Sequence, residues 1–118
     1  MTQRIYFDYD RDVLREDARA VLEAKAPILM ANPRLTLTIT GHTDERGTAE
    51  YNLALGQRRA AQVKRYLVAK GVPDSQLAAR SLGDSQPASS GSDEASYQQN
   101  RRAEFEAEIG GALVRPRP

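Results

Sequence analysis

The chain has 118 residues, with 17 Lys and Arg against 16 Asp and Glu and a net charge of +1. That length suits one domain able to bury a core without staples, and the lack of cysteine excludes a disulfide framework and thiolate chemistry. Balanced charge argues against a dedicated nucleic-acid binder, the absence of Trp argues against an aromatic stacking platform, and no apolar run approaches the roughly 20 residues of a membrane span.

Ile5-Tyr6-Phe7-Asp8-Tyr9 is a short run of β-type residues and reads as a first strand. Asp8, Asp10 and Asp12 follow; Asp10 or Asp12 is placed to cap the next helix. A calcium loop is the sharper reading of spaced aspartates. It is disfavoured because Arg11 falls among the ligand positions and the glycine and closing glutamate are missing. Val13, Leu14, Ala18, Val21, Leu22, Ala26 and Leu29 recur at helical spacing, predicting a helix over 13–31 with charge on its other face. Pro27 falls late in that run, and Asn32-Pro33 stops it.

Leu35, Leu37 and Ile39 alternate with Thr36, Thr38 and Thr40, which is a strand with one buried and one wet face. Residues 41–47 form a loop, and Thr48 opens a second helix that runs to Lys70 and ends at Gly71-Val72-Pro73. A third strand is expected over 77–83, a Ser/Gly/Pro-rich loop over 84–93 and a short helix over 92–99. Ala103, Phe105, Ala107 and Ile109 alternate with Arg102, Glu104, Glu106 and Glu108, giving a last strand with a charged outer face. Gly110-Gly111 breaks it, and 112–118, rich in Pro and Arg, reads as a disordered tail. The order β-α-β-α-β-(α)-β, with strands wet on one side, predicts a two-layer α/β sandwich. Helices pack on one face of a mixed four-stranded sheet, in one domain over 1–111.

The densest chemistry lies in the loop at 41–47 and the second helix. At about 100° per residue, with Arg59 as zero, Val63 falls near about +40°, Tyr66 near −20°, Leu67 near +80° and Asn52 near +20°. Arg59 therefore lies on the stripe turned toward the core, Asn52 precedes it on the same stripe, and Arg58 points elsewhere. A guanidinium on a buried stripe keeps its proton and needs a partner, best a planar carboxylate. Asp44, in the loop feeding this helix, is the candidate.

Two readings of that pair stay open from the residues. One is a structural Asp44–Arg59 ion pair that locks the loop to the helix. The other is a pocket for a zwitterion, with Arg59 on a carboxylate, Asp44 on an ammonium and Asn52 donating and accepting beside them. Catalysis is not expected. The single histidine, His42, cannot make a two-histidine metalloprotease site, and alternation places it with the wet threonines, solvated or bonded to the loop. No nucleophile-elbow or P-loop sequence occurs.

Gly41-His42-Thr43-Asp44-Glu45-Arg46-Gly47-Thr48, continuing through Asn52 to Gly56-Gln57-Arg58-Arg59-Ala60, closely resembles the signature of the OmpA-like peptidoglycan-binding domain family. Ile5 to Asp10 is similar to that family's opening strand, and Tyr97 with Asn100-Arg101-Arg102-Ala103 to its closing motif. The similarity runs from about Ile5 to Ile109, and the 44–48 segment with Gly56 points to the lipoprotein branch. The resemblance implies non-catalytic binding of peptidoglycan through diaminopimelate, in the periplasm, tethering the outer membrane to the wall without a cofactor. Carried over by motif position, the ligand-binding residues are Asp44, Arg59, Asp8, Asn52, Leu55 and Arg101. A periplasmic propeller protein of the Tol system is implied as a partner for the lipoprotein branch, with a protein-interaction module of the Tol or flagellar-motor kind as the alternative. The family's lipidated cysteine is absent from this sequence, so membrane contact is expected only through an anchor absent from this chain.

Overall fold

A computed structural model describes residues 3–110 and the backbone of 112–114. Its elements are β1 (Ile5–Tyr6), α1 (Glu16–Ala31), β2 (Leu35–His42), α2 (Ala49–Ala69), a 3-10 turn (Asp74–Gln76), β3 (Leu77–Gly83), α3 (Glu94–Asn100), β4 (Arg102–Ile109) and β5 (Ala112–Val114). The sheet order is β1-β4-β2-β3, with β5 also paired to β4. β2 and β3 are parallel, so the chain must cross over between them, and α2 is the crossover. β4 enters between β1 and β2, antiparallel to both, with Ile39 opposite Phe105 and Gly41 opposite Ala103.

The core forms where the apolar stripes of the helices meet one face of this mixed sheet. Ala18, Leu22, Ala26 and Leu29 of α1 and Ala60, Val63 and Leu67 of α2 pack on Leu35, Leu37 and Ile39 of β2 and Ala103, Phe105 and Ala107 of β4. Periods of 3.6 and 2 thus select the same buried layer from both sides. The two-layer sandwich with helices on one face is the expected architecture.

Two features hold the layers in register. α2 approaches the sheet so closely that a Cβ on Gly41 would sit 1.9 Å from the Gly56 carbonyl oxygen, and one on Gly56 would sit 2.2 Å from the Ser81 hydroxyl. Buried Gln76 donates from Nε2 to the carbonyls of Leu29, Asn32 and Leu35 at 2.9, 3.0 and 2.7 Å, fastening the 3-10 turn to the end of α1 and the start of β2. Pro27 is accommodated inside α1 rather than ending it.

Several expectations need correcting. The first strand is only Ile5–Tyr6, and α1 begins at Glu16 rather than Val13, with Arg15 as its N-cap and no side-chain cap from Asp10 or Asp12. Val13 is exposed because it lies in the connection, before the helical period begins. Lys25 is buried, its ammonium 4.3 Å from the Phe105 ring centroid, and burial pulls its pKa down to about 8. Ile109 is exposed at the end of β4. The tail expected to be disordered starts as a strand: Ala112–Val114 pairs with Ala107–Ile109. Gly110, in the left-handed region at φ 58°, allows the turn, and β1 covers that edge of β4 only at Arg102 and Ala103. Residues 115–118 lie outside those described.

Candidate functional site

The loop between β2 and α2 is delivered to the sheet's end by three local devices. β2 runs on to His42, where its register with β3 shifts, and Thr43 then donates its backbone N–H to the Gly83 carbonyl. Gly47 takes φ 97°, a left-handed value that suits glycine, and turns the chain into the helix. Thr48 caps α2 by accepting from the Tyr51 N–H. The result is a pocket of about 140 Å³ lined by residues from the β1–α1 connection, this loop and α2, among them Asp44, Asn52, Leu55 and Arg59.

Arg59 is fully buried. Its Nε donates to the Arg11 carbonyl at 2.8 Å, one terminal nitrogen to the His42 carbonyl at 2.8 Å and the other to the Asp8 carbonyl at 3.1 Å. Three backbone oxygens from two segments fix the plane of the guanidinium, and two of its five N–H groups remain for another acceptor. Among the described residues no carboxylate pairs with it: Asp44 pairs instead with Arg46 and Arg101, at 2.8 and 3.4 Å. The direct Asp44–Arg59 ion pair considered from sequence is therefore not formed. Burial lowers the Arg59 pKa to about 10, with Asp44 pulling the other way, and the group stays charged at neutral pH.

Asp44 is buried and saturated with donors. One carboxylate oxygen accepts from the Arg46 backbone N–H at 3.0 Å and Arg46 Nε at 3.2 Å; the other accepts from Arg46 and Arg101 terminal nitrogens. Burial pushes its pKa up, but the Arg46 and Arg101 bonds more than offset that and hold it below the usual carboxylate range. Asn52 is buried and reaches the Asp44 carbonyl at 3.4 Å.

Four of the six residues singled out from sequence, Asp44, Arg59, Asn52 and Leu55, line the pocket. The other two stand behind it. Asp8 contributes its backbone carbonyl to Arg59, while its exposed carboxylate faces Arg15 at 3.6 Å. Arg101 is buried, bonded to the Phe7 carbonyl at 3.0 Å, and steadies Asp44 from the side. Its neighbour Arg102 is likewise buried and ties β4 to the Gln86 carbonyl at 2.8 Å. His42 is another correction: its side chain is buried, and neither ring nitrogen has a partner among the described residues. Burial, reinforced by Arg102, lowers its pKa to about 4, so the ring is neutral. Alternation placed it on the wet face without seeing that β2 shifts register against β3 between Gly41 and His42.

Sequence reasoning missed Tyr9, Asp10, Thr43, Arg46 and Tyr51 on the pocket wall. Asp10 takes a left-handed φ of 52°, and its carboxylate accepts from the Tyr51 hydroxyl, closing one side. Arg46 lies between two rings, with its guanidinium carbon 3.9 Å from the Tyr9 centroid and 4.4 Å from that of Tyr97. Its spacing, two residues after Asp44, was the available signal: a backbone N–H at that distance can fold back on an aspartate.

The OmpA family model matches residues 6–101. The chain belongs to the OmpA family. Among curated relatives, the peptidoglycan-associated lipoprotein of Pasteurella multocida is 48% identical over 99 residues, covering 84% of this chain and 66% of that protein. The peptidoglycan-associated lipoprotein of Rhizobium meliloti is 48% identical over 100 residues, covering 85% of this chain and 57% of that protein. This OmpA-family chain thus spans roughly 57–66% of those relatives' length. A crystal structure of the peptidoglycan-associated lipoprotein from Burkholderia pseudomallei superposes with a TM-score of 0.88 at 46% identity, covering 90% of each chain. The C-terminal domain of Helicobacter pylori MotB shares the fold, with a TM-score of 0.82 at 24% identity over 91% of this chain and 84% of that one.

Proposed function

We propose that this chain is a non-catalytic peptidoglycan-binding domain whose pocket takes the zwitterionic end of diaminopimelate in the stem peptide. The observation that carries the reading is Arg59: a buried guanidinium, locked in orientation by three carbonyls, on a pocket wall and without a carboxylate partner among the described residues. A buried cation whose direct hydrogen bonds all go to backbone carbonyls gains from an anion with matching geometry. Asp44 on the same pocket offers the negative charge an ammonium requires, and Asn52 and Leu55 supply an amide and an apolar side. The names of the relatives support the same ligand class. On this reading the domain works in the periplasm, tethering the outer membrane to the wall through an anchor outside this sequence. The propeller protein of the Tol system is its proposed protein partner.

The test is pull-down with purified peptidoglycan, beside the melting temperature with free diaminopimelate. The parent should sediment with the wall and melt higher with ligand, because a ligand that binds only the native state stabilises it. Asp44→Asn, which keeps shape and removes charge, should lose both effects. Arg59→Lys should weaken both, since an ammonium cannot present the planar fork. Sedimentation of both variants equal to that of the parent would overturn the proposal.

A further inference from the structure

Asp44, Arg46, Glu94 and Arg101 form a closed ring of alternating charge. Asp44 meets Arg46 at 2.8 Å, Arg46 meets Glu94 at 3.7 Å, Glu94 meets Arg101 at 3.0 Å, and Arg101 returns to Asp44 at 3.4 Å. The ring joins the β2–α2 loop to the first residue of α3 and to the residue that follows its end. Two members line the pocket, Asp44 and Arg46; Glu94 does not.

The ring poses a problem for any cationic ligand. Asp44 already accepts four hydrogen bonds, three of them from Arg46. A carboxylate has about four lone-pair sites, so an arriving ammonium must take the place of a donor. Arg101 is a poor candidate to yield, because it is buried and tied to the Phe7 carbonyl. The Arg46 side chain is one-third exposed and is flanked by two aromatic rings, and its hydrogen bonds among the described residues go to Asp44 and not to a backbone carbonyl. Contacts with ring faces constrain the plane of a guanidinium more than its position in that plane. Arg46 can therefore turn away from Asp44 while keeping Tyr9 and Tyr97. The second oxygen of Glu94 already lies 3.7 Å from Arg46, and its first oxygen is fixed by Arg101.

We propose that Glu94 is a specificity-determining residue: it receives Arg46 when a ligand ammonium claims Asp44, so that the exchange leaves no charge without a partner. This rests on the zwitterion reading of the pocket and adds a residue outside the pocket to it. Glu94 acts through Arg46 and does not touch the ligand. A ligand that brings a carboxylate but no ammonium has no need of the exchange.

The experiment is calorimetric titration of the full chain with a stem tetrapeptide containing diaminopimelate, and with the same peptide carrying 2-aminopimelate, which lacks the distal ammonium. The proteins are the parent, Glu94→Gln, Arg46→Gln and the double variant. Glu94 is exposed, so its substitution should leave the circular dichroism spectrum unchanged. Glu94→Gln should weaken the diaminopimelate peptide about twofold to fivefold, the range of one partly screened ion pair. It should leave the 2-aminopimelate peptide unchanged and have no effect in the Arg46→Gln background. Equal binding of the diaminopimelate peptide by parent and Glu94→Gln overturns the role of Glu94 alone. Equal losses for the two peptides, or a loss that persists without Arg46, make Glu94 merely structural and also overturn it. A parent that ignores both peptides overturns the pocket reading together with this one.

Discussion

Arg59 does two jobs with one side chain, and the two are separable by the choice of substitution. Its three carbonyl contacts join the β1–α1 connection to the end of β2, so it closes the fold as well as facing the pocket. Arg59→Ala leaves three backbone oxygens without a donor and opens a cavity, at a cost of about 3–5 kcal/mol. Asp44→Asn keeps the volume and one acceptor, and its cost in urea denaturation should stay near about 1–2 kcal/mol. Binding tests therefore rest on Asp44→Asn, and a denaturation series in which Arg59→Ala is as stable as the parent would contradict the clamp. The sequence made Arg59 legible because helical period reports burial, and a buried arginine stands out among Val63, Leu67 and Ala60. It could not show which acceptors answer the charge. Those are backbone carbonyls of residues 8, 11 and 42, and main-chain oxygens leave no trace in residue identity. For the same reason the motif position of Asp8 did not show which of its groups matters; its carbonyl is the group Arg59 uses, while its carboxylate faces Arg15.

At the scale of elements, the site depends on how near α2 lies to β2 and β3. Gly41 faces a backbone oxygen of Gly56, whereas the nearest obstacle to a Cβ on Gly56 is the Ser81 side chain, with the Gly41 carbonyl at 2.9 Å. A backbone obstacle cannot rotate away, so Gly41→Ala must push α2 off the sheet, costing about 3 kcal/mol or more. Gly56→Ala should cost less, about 2 kcal/mol, because alanine recovers some helix propensity and Ser81 can turn, leaving a shift of a few tenths of an ångström from the Gly41 carbonyl as the remaining strain. Adding Ser81→Gly to Gly56→Ala should recover part of that loss and do nothing for Gly41→Ala. Thermal melts of the four variants check the order; equal costs at Gly41 and Gly56 would mean the helix is free to slide. Strand and helix existence was readable here because each buried face leaves a period in the sequence. Boundaries were not, where the period is interrupted: Val13 and Leu14 continue the apolar spacing of α1 into a connection that Asp10 has already turned. The start of the tail was misjudged for a related reason, since a free edge on β4 is a property of the sheet and not of residues 112–114.

For the molecule as a whole, the buried histidine sets how the fold responds to acid. Its folded pKa of about 4 lies below the ordinary histidine value of 6.5, because burial and the Arg102 guanidinium disfavour the cation. In the unfolded chain the ring titrates near its ordinary value, so between those two values the unfolded state binds the extra proton. Stability from His42 is therefore fully present above about pH 6.5 and is lost as pH falls toward about 4. A gap of that size corresponds to an order of 3 kcal/mol. Lowered carboxylates such as Asp44 add losses of their own only at still lower pH, below their unfolded values. His42→Gln has no titrating ring and should show a flatter stability profile between pH 6.5 and 4.5, measured by urea denaturation at steps of half a unit. The native ring stays neutral until pH approaches about 4, so the His42 carbonyl keeps its hold on Arg59 and ligand-induced stabilisation of the parent should persist across the same interval. Parallel profiles for parent and His42→Gln across that range would show that the ring carries no such linkage.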